Sequence, residues 1–207
     1  MQPASNYEEY NDFGALKAFF ESKLEEYNYE PGFVAMNLVL FRDAVEHMCR
    51  IVRVLSTQRG NVLLVGVGGS GRQSLCRLAT FVAGHKLFMI EITKQYSKVE
   101  WHEDLKKLYV QAGVNRKETD FLFTDTQIVL ESFLEDIKGI LGAGEVPNLY
   151  GPDEMGEIRE GIKQAARQQG IEENNDSLYA FFIEQARNHM HLALCFSPVG
   201  DSFRVRC

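Results

Sequence analysis

Long apolar runs, positive charge and paired cysteines are all scarce in this chain of 207 residues. No run of apolar residues is long enough to span a bilayer, and residues 1–9 are polar and acidic, unlike a secretory signal. The 22 lysines and arginines are outnumbered by 29 aspartates and glutamates, which leaves a net charge of −7. This balance excludes a broad nucleic-acid surface, but it is compatible with one small basic pocket for phosphate. We therefore expect neither a membrane nor a nucleic acid as a partner.

The chain has four cysteines, and no two of them form a Cys-x-x-Cys pair. Cys49, Cys76 and Cys195 lie inside apolar segments, where a reduced and buried thiol is expected. The fourth is Cys207. Thiols used in this way are typical of a reducing compartment such as the cytosol.

Short apolar runs alternate with amphipathic stretches along most of the chain. Helical spacing over residues 14–27 and 38–55 predicts two helices, which Pro31-Gly32 separates. Buried strands are predicted at 61–65, 87–92, 121–125 and 191–196, with helices beginning near residues 72, 101, 128 and 178. This order predicts an α/β domain built on a mostly parallel sheet with helices on both faces.

On this basis the chain divides into a helical lead-in at residues 1–35 and an α/β domain at residues 36–207. The domain includes a more polar insertion at about residues 142–176, with a short helix near 154–168. Ligands of such sheets bind beyond the carboxyl ends of the strands. The loop at residues 66–74, Asp125 and Ser197 are expected at that edge.

The loop at residues 66–74 follows the first buried strand and opens a helix. Its glycines allow several N–H groups to point inward and, with the helix N-terminus, to form an anion site. Gly66 and Gly71 match the phosphate loop G-x-x-x-x-G-K-[ST], but Arg72 replaces the lysine. Gln73 replaces the Ser or Thr that binds Mg²⁺, and Ser74 comes one position late. We expect phosphate binding, with Mg²⁺ held weakly and Ser74 as the candidate hydroxyl ligand.

Two alternatives to a phosphate loop are open at this stage. The glycines at 66, 68 and 71 also fit G-x-G-x-x-G, and Glu91 lies about 20 residues further on, where a dinucleotide fold has its ribose-binding acid. Against this, Glu91 stands between two isoleucines and is expected within the strand rather than at its tip. The other alternative is a glycine turn with no ligand.

Asp125 ends the third predicted strand. An aspartate at this place in P-loop NTPases holds Mg²⁺, and the alternative is an N-cap for a helix starting at Gln127. The next residue, Thr126, has no basic group at neutral pH and cannot deprotonate an attacking water. Gln127 could orient a water but could not take its proton. Weak or absent hydrolysis is therefore expected.

Several segments, in their order and spacing, resemble the fourth AAA+ module of axonemal dynein heavy chains. They are the loop 66–74, the strand and helix start 121–128, the stretches 144–149 and 196–204, and the lead-in 36–41. The resemblance covers nearly the whole chain and favours the P-loop over the dinucleotide interpretation. It also implies a C-terminal helical lid and a fifth strand, both of which we expect to be absent from this chain, as in a truncated piece of a longer protein.

The resemblance implies roles for individual residues. The nucleotide phosphates would be held by Gly66, Val67, Gly68, Gly69, Ser70, Gly71, Arg72, Gln73 and Ser74. Leu38 and Val39 would lie against adenine. Asp125 would be the Walker B aspartate, with Mg²⁺ shared between Asp125 and Ser74, and Ser197 the sensor-1 residue or a simple strand-end serine.

Two further positions carry open alternatives. Arg204 is a candidate arginine finger, but a solvated basic tail that includes both Arg204 and Arg206 is the favoured alternative. Glu145 is expected to be an exposed loop acid, with contact to a neighbouring module as the alternative.

The function that the resemblance implies is binding of ATP or ADP, with Mg²⁺, by a regulatory module that hydrolyses weakly or not at all. The parent would drive microtubule-based movement in cilia, in the cytoplasm at the axoneme. The expected partners are the neighbouring AAA+ modules, the dynein intermediate and light chains, and the microtubule through parts not present here. An active ATPase and a structural ring segment with an empty loop are the alternatives.

Overall fold

The structure is a computed structural model, and it describes residues 12–198. Helices and parallel strands alternate along most of this range. In chain order the elements are α1 (Phe13–Tyr29), α2 (Arg42–Leu55), β1 (Val62–Val65), α3 (Arg72–Ala83), β2 (Lys86–Phe88), α4 (Lys98–Tyr109), a π-helical turn (Val110–Val114), β3 (Thr119–Thr124), a 3-10 turn (Asp125–Gln127), α5 (Glu131–Gly142), α6 (Pro152–Gln168), α7 (Asn175–His189) and β4 (Met190–Phe196).

The four described strands form one sheet in the order β1-β4-β3-β2, and every neighbouring pair is parallel. The central strands β3 and β4 are paired from Thr119 with Met190 to Thr124 with Cys195. Because all strands run the same way, their carboxyl ends meet at one edge, where ligands of open α/β sheets bind. The predicted α/β fold is confirmed, and the sheet is parallel throughout the described strands.

Helices cover both faces of this sheet, as expected. On one face Phe121 and Phe123 of β3 pack against Trp101 of α4, whose ring stacks on Phe133 of α5 at a centroid distance of 4.4 Å. On the other face Leu122 belongs to a small cluster with Cys76 of α3. The covering is incomplete at β1, where Leu63 and Val65 remain 55% and 51% exposed.

Helices α1 and α2 pack against the same side of the sheet as α3. Phe20 and Tyr27 of α1 and Met48 of α2 are buried in one cluster with Leu78 of α3. The side chain of Asn28 fixes the segment that follows α1, because its Nδ2 donates to the Met36 carbonyl at 3.0 Å and its Oδ1 accepts from the Met36 amide at 2.8 Å. This clamp directs residues 36–41 toward the carboxyl edge of the sheet. No helix within residues 12–198 combines the length and the apolar character needed to cross a membrane.

Several predicted boundaries were wrong. The second strand ends at Phe88 rather than at residue 92, because this edge strand pairs with β3 over three residues alone and the chain then leaves the sheet. The helix after Asp125 starts at Glu131 rather than near residue 128, since the 3-10 turn comes first. Helix α2 starts at Arg42 rather than 38, and residues 36–41 have no regular secondary structure. By contrast, the helix predicted near residues 154–168 is confirmed as α6, which starts at Pro152 and buries Ile158, Ile162 and Ala166.

Candidate functional site

The glycine-rich loop connects the end of β1 at Val65 with the start of α3 at Arg72. Two of its glycines, Gly69 and Gly71, have φ angles of 77° and 76°, a left-handed conformation that glycine adopts without the Cβ clash other residues suffer. The Gly66 amide donates to the Phe196 carbonyl at 3.1 Å, which continues the pairing of β1 with β4. The loop therefore starts from a fixed point at the carboxyl edge and then curls before the helix begins.

The amides of this loop are available to a ligand. Within residues 12–198 no hydrogen bond occupies the backbone N–H groups of Gly68, Gly69, Gly71, Arg72 or Gln73. The N-cap of α3 is Gly71, which offers no capping side chain. Unsatisfied N–H groups at a helix N-terminus attract anions through both hydrogen bonding and the helix dipole. The arrangement is thus chemically suited to a phosphate group.

Arg72 has acceptors of its own chain. Its Nη1 donates to the carbonyl of Phe196, and its Nη2 lies 3.3 Å from the Val67 carbonyl and 3.5 Å from Ser197 Oγ. The side chain passes over Gly66, where an added Cβ would be 3.4 Å from Arg72 Cδ. The guanidinium therefore ties the loop to the end of β4. A phosphate at the loop amides would compete with these acceptors for the guanidinium.

Asp125 and Ser197 meet at the ends of the adjacent strands β3 and β4. The Ser197 amide donates to Asp125 Oδ2 at 2.7 Å. Burial raises the pKa of Asp125, but hydrogen bonds from Ser197 and the Thr126 amide, together with the charge of Arg72, lower it by more, so the net pKa is below its usual value. The carboxyl group is accordingly ionised at neutral pH and suited to a hard cation. The alternative role as N-cap was wrong, because α5 begins six residues later at Glu131 and its N-cap is Leu130.

The residues after Asp125 offer no base for hydrolysis. Thr126 is exposed, and its Oγ1 lies 2.9 Å from Thr124 Oγ1. Both ends of the Gln127 amide are engaged: Oε1 accepts from the Thr124 amide at 2.8 Å, and Nε2 donates to the Ile90 carbonyl at 2.7 Å. Gln127 thus fastens the end of β3 to the segment after β2 and is not free to orient a water. The spacing Thr-x-x-Gln, typical of a capping box, is the sequence signal that could have indicated this role.

The segment at residues 36–41 passes beside the glycine-rich loop at Leu38. A Cβ added to Gly71 would lie 3.5 Å from Leu38 Cδ1, so the Leu38 side chain is next to the last residue of the loop. Leu40 is 2% exposed and belongs to the core, whereas Val39 between them is 73% exposed. Leu38 therefore lies beside the loop, and Val39 presents its side chain to solvent. In the first turn of α3, Gln73 is exposed and Ser74 is half-buried.

The strand order argues against the dinucleotide interpretation. In that fold the strand carrying the ribose-binding acid is a neighbour of the strand before the glycine loop. Here β1 pairs with β4, and β2 is at the far edge, about three strand spacings or roughly 14 Å away. The expectation that Glu91 lies within the second strand was wrong, because Glu91 is three residues beyond the end of β2 and is exposed. The dinucleotide interpretation is instead disfavoured by the distance between β1 and β2.

Three remaining candidates fall elsewhere. Glu145 was expected to be an exposed loop acid, which was wrong: it is half-buried and accepts a hydrogen bond of 2.6 Å from the hydroxyl of Tyr179 on α7. Arg204 and Arg206 lie outside the described residues, as does Cys207. Of the other cysteines, Cys76 and Cys195 are buried as expected, and Cys49 is partly exposed.

Comparison with known proteins extends these observations. Residues 36–207 match a family model described as the P-loop containing dynein motor region D4. The chain is 56% identical over 201 residues to the dynein-1-beta heavy chain of the flagellar inner arm I1 complex of Chlamydomonas reinhardtii, an alignment that covers 97% of this chain and 4% of that protein. It is 55% identical over 198 residues to human dynein axonemal heavy chain 2, covering 96% of this chain and 4% of the relative. With human dynein axonemal heavy chain 6 the identity is 47% over 203 residues, or 97% and 5% of the two chains. The chain thus spans a small fraction of the length of these relatives.

Proposed function

Because this chain belongs to the family of P-loop containing dynein motor regions termed D4, we propose that it is a regulatory module that binds ATP or ADP and hydrolyses it slowly or not at all. The observation that carries this proposal is a set of backbone amides at the N-terminus of α3 that have no hydrogen-bond partner among residues 12–198, namely those of Gly68, Gly69, Gly71, Arg72 and Gln73. These donors are costly to leave unpaired once a pocket closes over them, and a phosphate satisfies several at once.

The residues around the loop divide the work of binding. The loop amides hold the phosphates, and Arg72 adds positive charge after release from the carbonyls of Val67 and Phe196. Leu38 and Val39 would lie against the adenine, a role supported by the position of Leu38 beside Gly71 of the loop. Ser197 stands at the end of β4, beside both Arg72 and Asp125, where a polar group can sense a terminal phosphate.

The donor set suits Mg²⁺ only in part. The ionised carboxylate of Asp125 is a preferred ligand for this cation. Gln73 offers no hydroxyl at the usual position, and Ser74 is the nearest hydroxyl in the first turn of α3. Asp125 and Ser74 would hold Mg²⁺, whose chemistry there is to neutralise phosphate charge. Binding of nucleotide should therefore depend only modestly on the metal.

Slow hydrolysis follows from the residues that succeed Asp125. Thr126 cannot accept a proton at neutral pH. The amide of Gln127 is held at both ends by Thr124 and Ile90. A bound ATP would therefore lack a group that deprotonates or aligns the attacking water, and the module would respond to the nucleotide rather than consume it.

The wider setting is proposed from the names of the relatives. They are flagellar and axonemal dynein heavy chains, so we place this module in a heavy chain of the ciliary axoneme. There it would act on neighbouring AAA+ modules during microtubule-based movement. Contacts with the microtubule and with dynein intermediate and light chains would involve other parts of such a protein.

Titration of the 207-residue chain with a fluorescent ATP analogue tests the binding function. We expect saturation below the millimolar range, both with Mg²⁺ and with a chelator, and less than about a tenfold difference between the two, because the amides and Arg72 supply most of the contacts and the metal only one or two. Absence of saturation at millimolar analogue in both conditions would contradict nucleotide binding by this chain.

The same titration tests the second candidate function, a structural ring segment with an empty loop. This candidate is favoured by one observation, the engagement of Arg72 with three groups of its own chain. If it holds, neither ATP nor ADP binds, and removing Arg72 opens the loop. Weaker ATP binding by an Arg72→Ala chain would support the binding module, whereas stronger binding would support the structural segment.

A further inference from the structure

A second cluster of polar side chains lies at the opposite edge of the sheet from the loop. Asp120, near the start of β3, is directly paired with His191, near the start of β4, and His85 immediately precedes β2. The rings of His85 and His191 stack with centroids 5.2 Å apart and planes 15° apart. We name these three residues the His–Asp cluster. It contributes nothing to the nucleotide site proposed above.

The cluster brings potential metal ligands together. One ligand atom from each of the three residues lies within 4.8 Å of the other two. Asp120 is 0% exposed and His191 is 2% exposed, so these ligands have fixed surroundings. His85 Nδ1 lies 2.8 Å from Asp120 Oδ1. We propose that the His–Asp cluster binds a divalent transition metal ion, with Zn²⁺ as the best match to two imidazoles and a carboxylate.

Hydrogen bonds outside the cluster orient its ligands as metal sites require. His191 Nδ1 is 2.7 Å from the Gly60 carbonyl, which only accepts, so this nitrogen carries a proton, and in the neutral ring Nε2 has the lone pair that a metal ion needs. Thr80 Oγ1 donates to Asp120 Oδ2 at 2.6 Å, which leaves Oδ1 facing His85. Such partners, which fix the tautomer of a histidine and the angle of a carboxylate, characteristically surround metal ligands.

Glu118 is a candidate fourth ligand, and a cavity connects the cluster with solvent. Glu118 Oε2 lies 3.5 Å from His191 Nε2, and the Glu118 side chain is 47% exposed. His85, Glu118 and His191 line a cavity of about 1030 Å³. An ion can therefore reach the cluster through the cavity, and Glu118 can complete a four-coordinate shell with small side-chain movements.

Metal binding at this place would join parts of the chain that are distant in sequence. Thr80 lies in the last turn of α3 and His85 follows that helix after the C-cap Gly84, while Asp120 and His191 belong to the two central strands. A bound ion would hold the carboxyl end of α3 to the sheet. Because the unfolded chain has no such arrangement, binding should raise the stability of the folded state.

The test uses the untagged 207-residue chain after removal of metal with a chelator. Titration with Zn²⁺ should show one equivalent bound and a higher midpoint of thermal unfolding, and Co²⁺ should give the visible absorption of a tetrahedral site. His191→Gln and His85→Gln should each weaken Zn²⁺ binding at least about 100-fold, and Thr80→Val about tenfold. The matched control is His47→Gln, which removes an exposed histidine of α2 and should bind as the unmodified chain does.

The outcomes are distinguishable. If the unmodified chain takes up no Zn²⁺ at micromolar concentration, the cluster is a structural ion pair and the proposal is overturned. Equal binding by the His47→Gln, His85→Gln and His191→Gln chains would also overturn it, since the ion would then lie elsewhere. Circular dichroism identifies a variant that fails to fold. If His191→Gln does so, the comparison is made between His85→Gln, at the less buried position, and His47→Gln.

Discussion

Arg72→Ala is expected to weaken ATP binding by about 10- to 100-fold. The guanidinium belongs to the first residue of α3, directly after the loop glycines, and charge-assisted hydrogen bonds to a phosphate contribute roughly 1.5–3 kcal/mol. In the structure this group donates to the carbonyls of Phe196 and Val67. Exchange of two neutral acceptors for an anionic phosphate is favourable, so the ligand should draw the side chain away from them. The dissociation constant of a fluorescent ATP analogue measures the effect.

Two controls make this result interpretable. Arg72→Lys retains a positive charge and restores the lysine of the phosphate-loop pattern, so it should stay within about tenfold of the unmodified chain. Arg50→Ala removes an exposed arginine of α2 that pairs with Glu46, and it should leave affinity unchanged. Stronger binding by the Arg72→Ala chain would mean that the side chain blocks the loop, in favour of a structural segment. Thermal unfolding of each variant separates a loss of contacts from a loss of fold.

Thr126→Glu is expected to raise ATP turnover by about 100-fold, since a positioned general base contributes 10²–10⁴ in rate. Thr126 directly follows Asp125 and is exposed, so a longer side chain fits there without disturbing the core. The capping contacts of Thr124 with Gln127 use other groups and remain in place. Steady-state phosphate release from saturating ATP measures the change.

The matched variant for this test is Thr126→Gln, which has nearly the same shape as glutamate but no basic group. It should turn over ATP at the rate of the unmodified chain. Equal rates for the glutamate and glutamine variants would contradict the proposal that the missing base limits hydrolysis. The incomplete Mg²⁺ ligand set at Gln73 and Ser74 would then be the limiting feature.

The sequence predicted the features that depend on local pattern. Apolar runs such as residues 121–123 predict strands buried on both faces, and Phe121 and Leu122 are indeed buried on opposite faces of β3. The glycines at 66–71 predict a turn between strand and helix, and Gly69 and Gly71 have the left-handed angles that require glycine. The position of Asp125 beyond a strand end followed from the same alternation, and the family predicted from these motifs is confirmed.

Contacts between distant residues could not be predicted in this way. Arg72 donates to the carbonyl of Phe196, which is 124 positions away. This acceptor lies beside the loop because β1 pairs with β4 rather than with β2. His85, Asp120 and His191 occupy three separate segments, and only the parallel register of β3 and β4 brings the last two together. The extent of β2 was missed for a related reason. Strand length at an edge is set by the partner, and β3 pairs with it over three residues.

The central claim is that the loop amides bind phosphate, and amide NMR resonances of the 207-residue chain report on those groups directly. Addition of ADP should shift the resonances of Gly68, Gly69 and Gly71 strongly, whereas adenosine, which has no phosphate, should leave them in place. Unchanged glycine resonances at millimolar ADP, or equal shifts with adenosine, would contradict the claim.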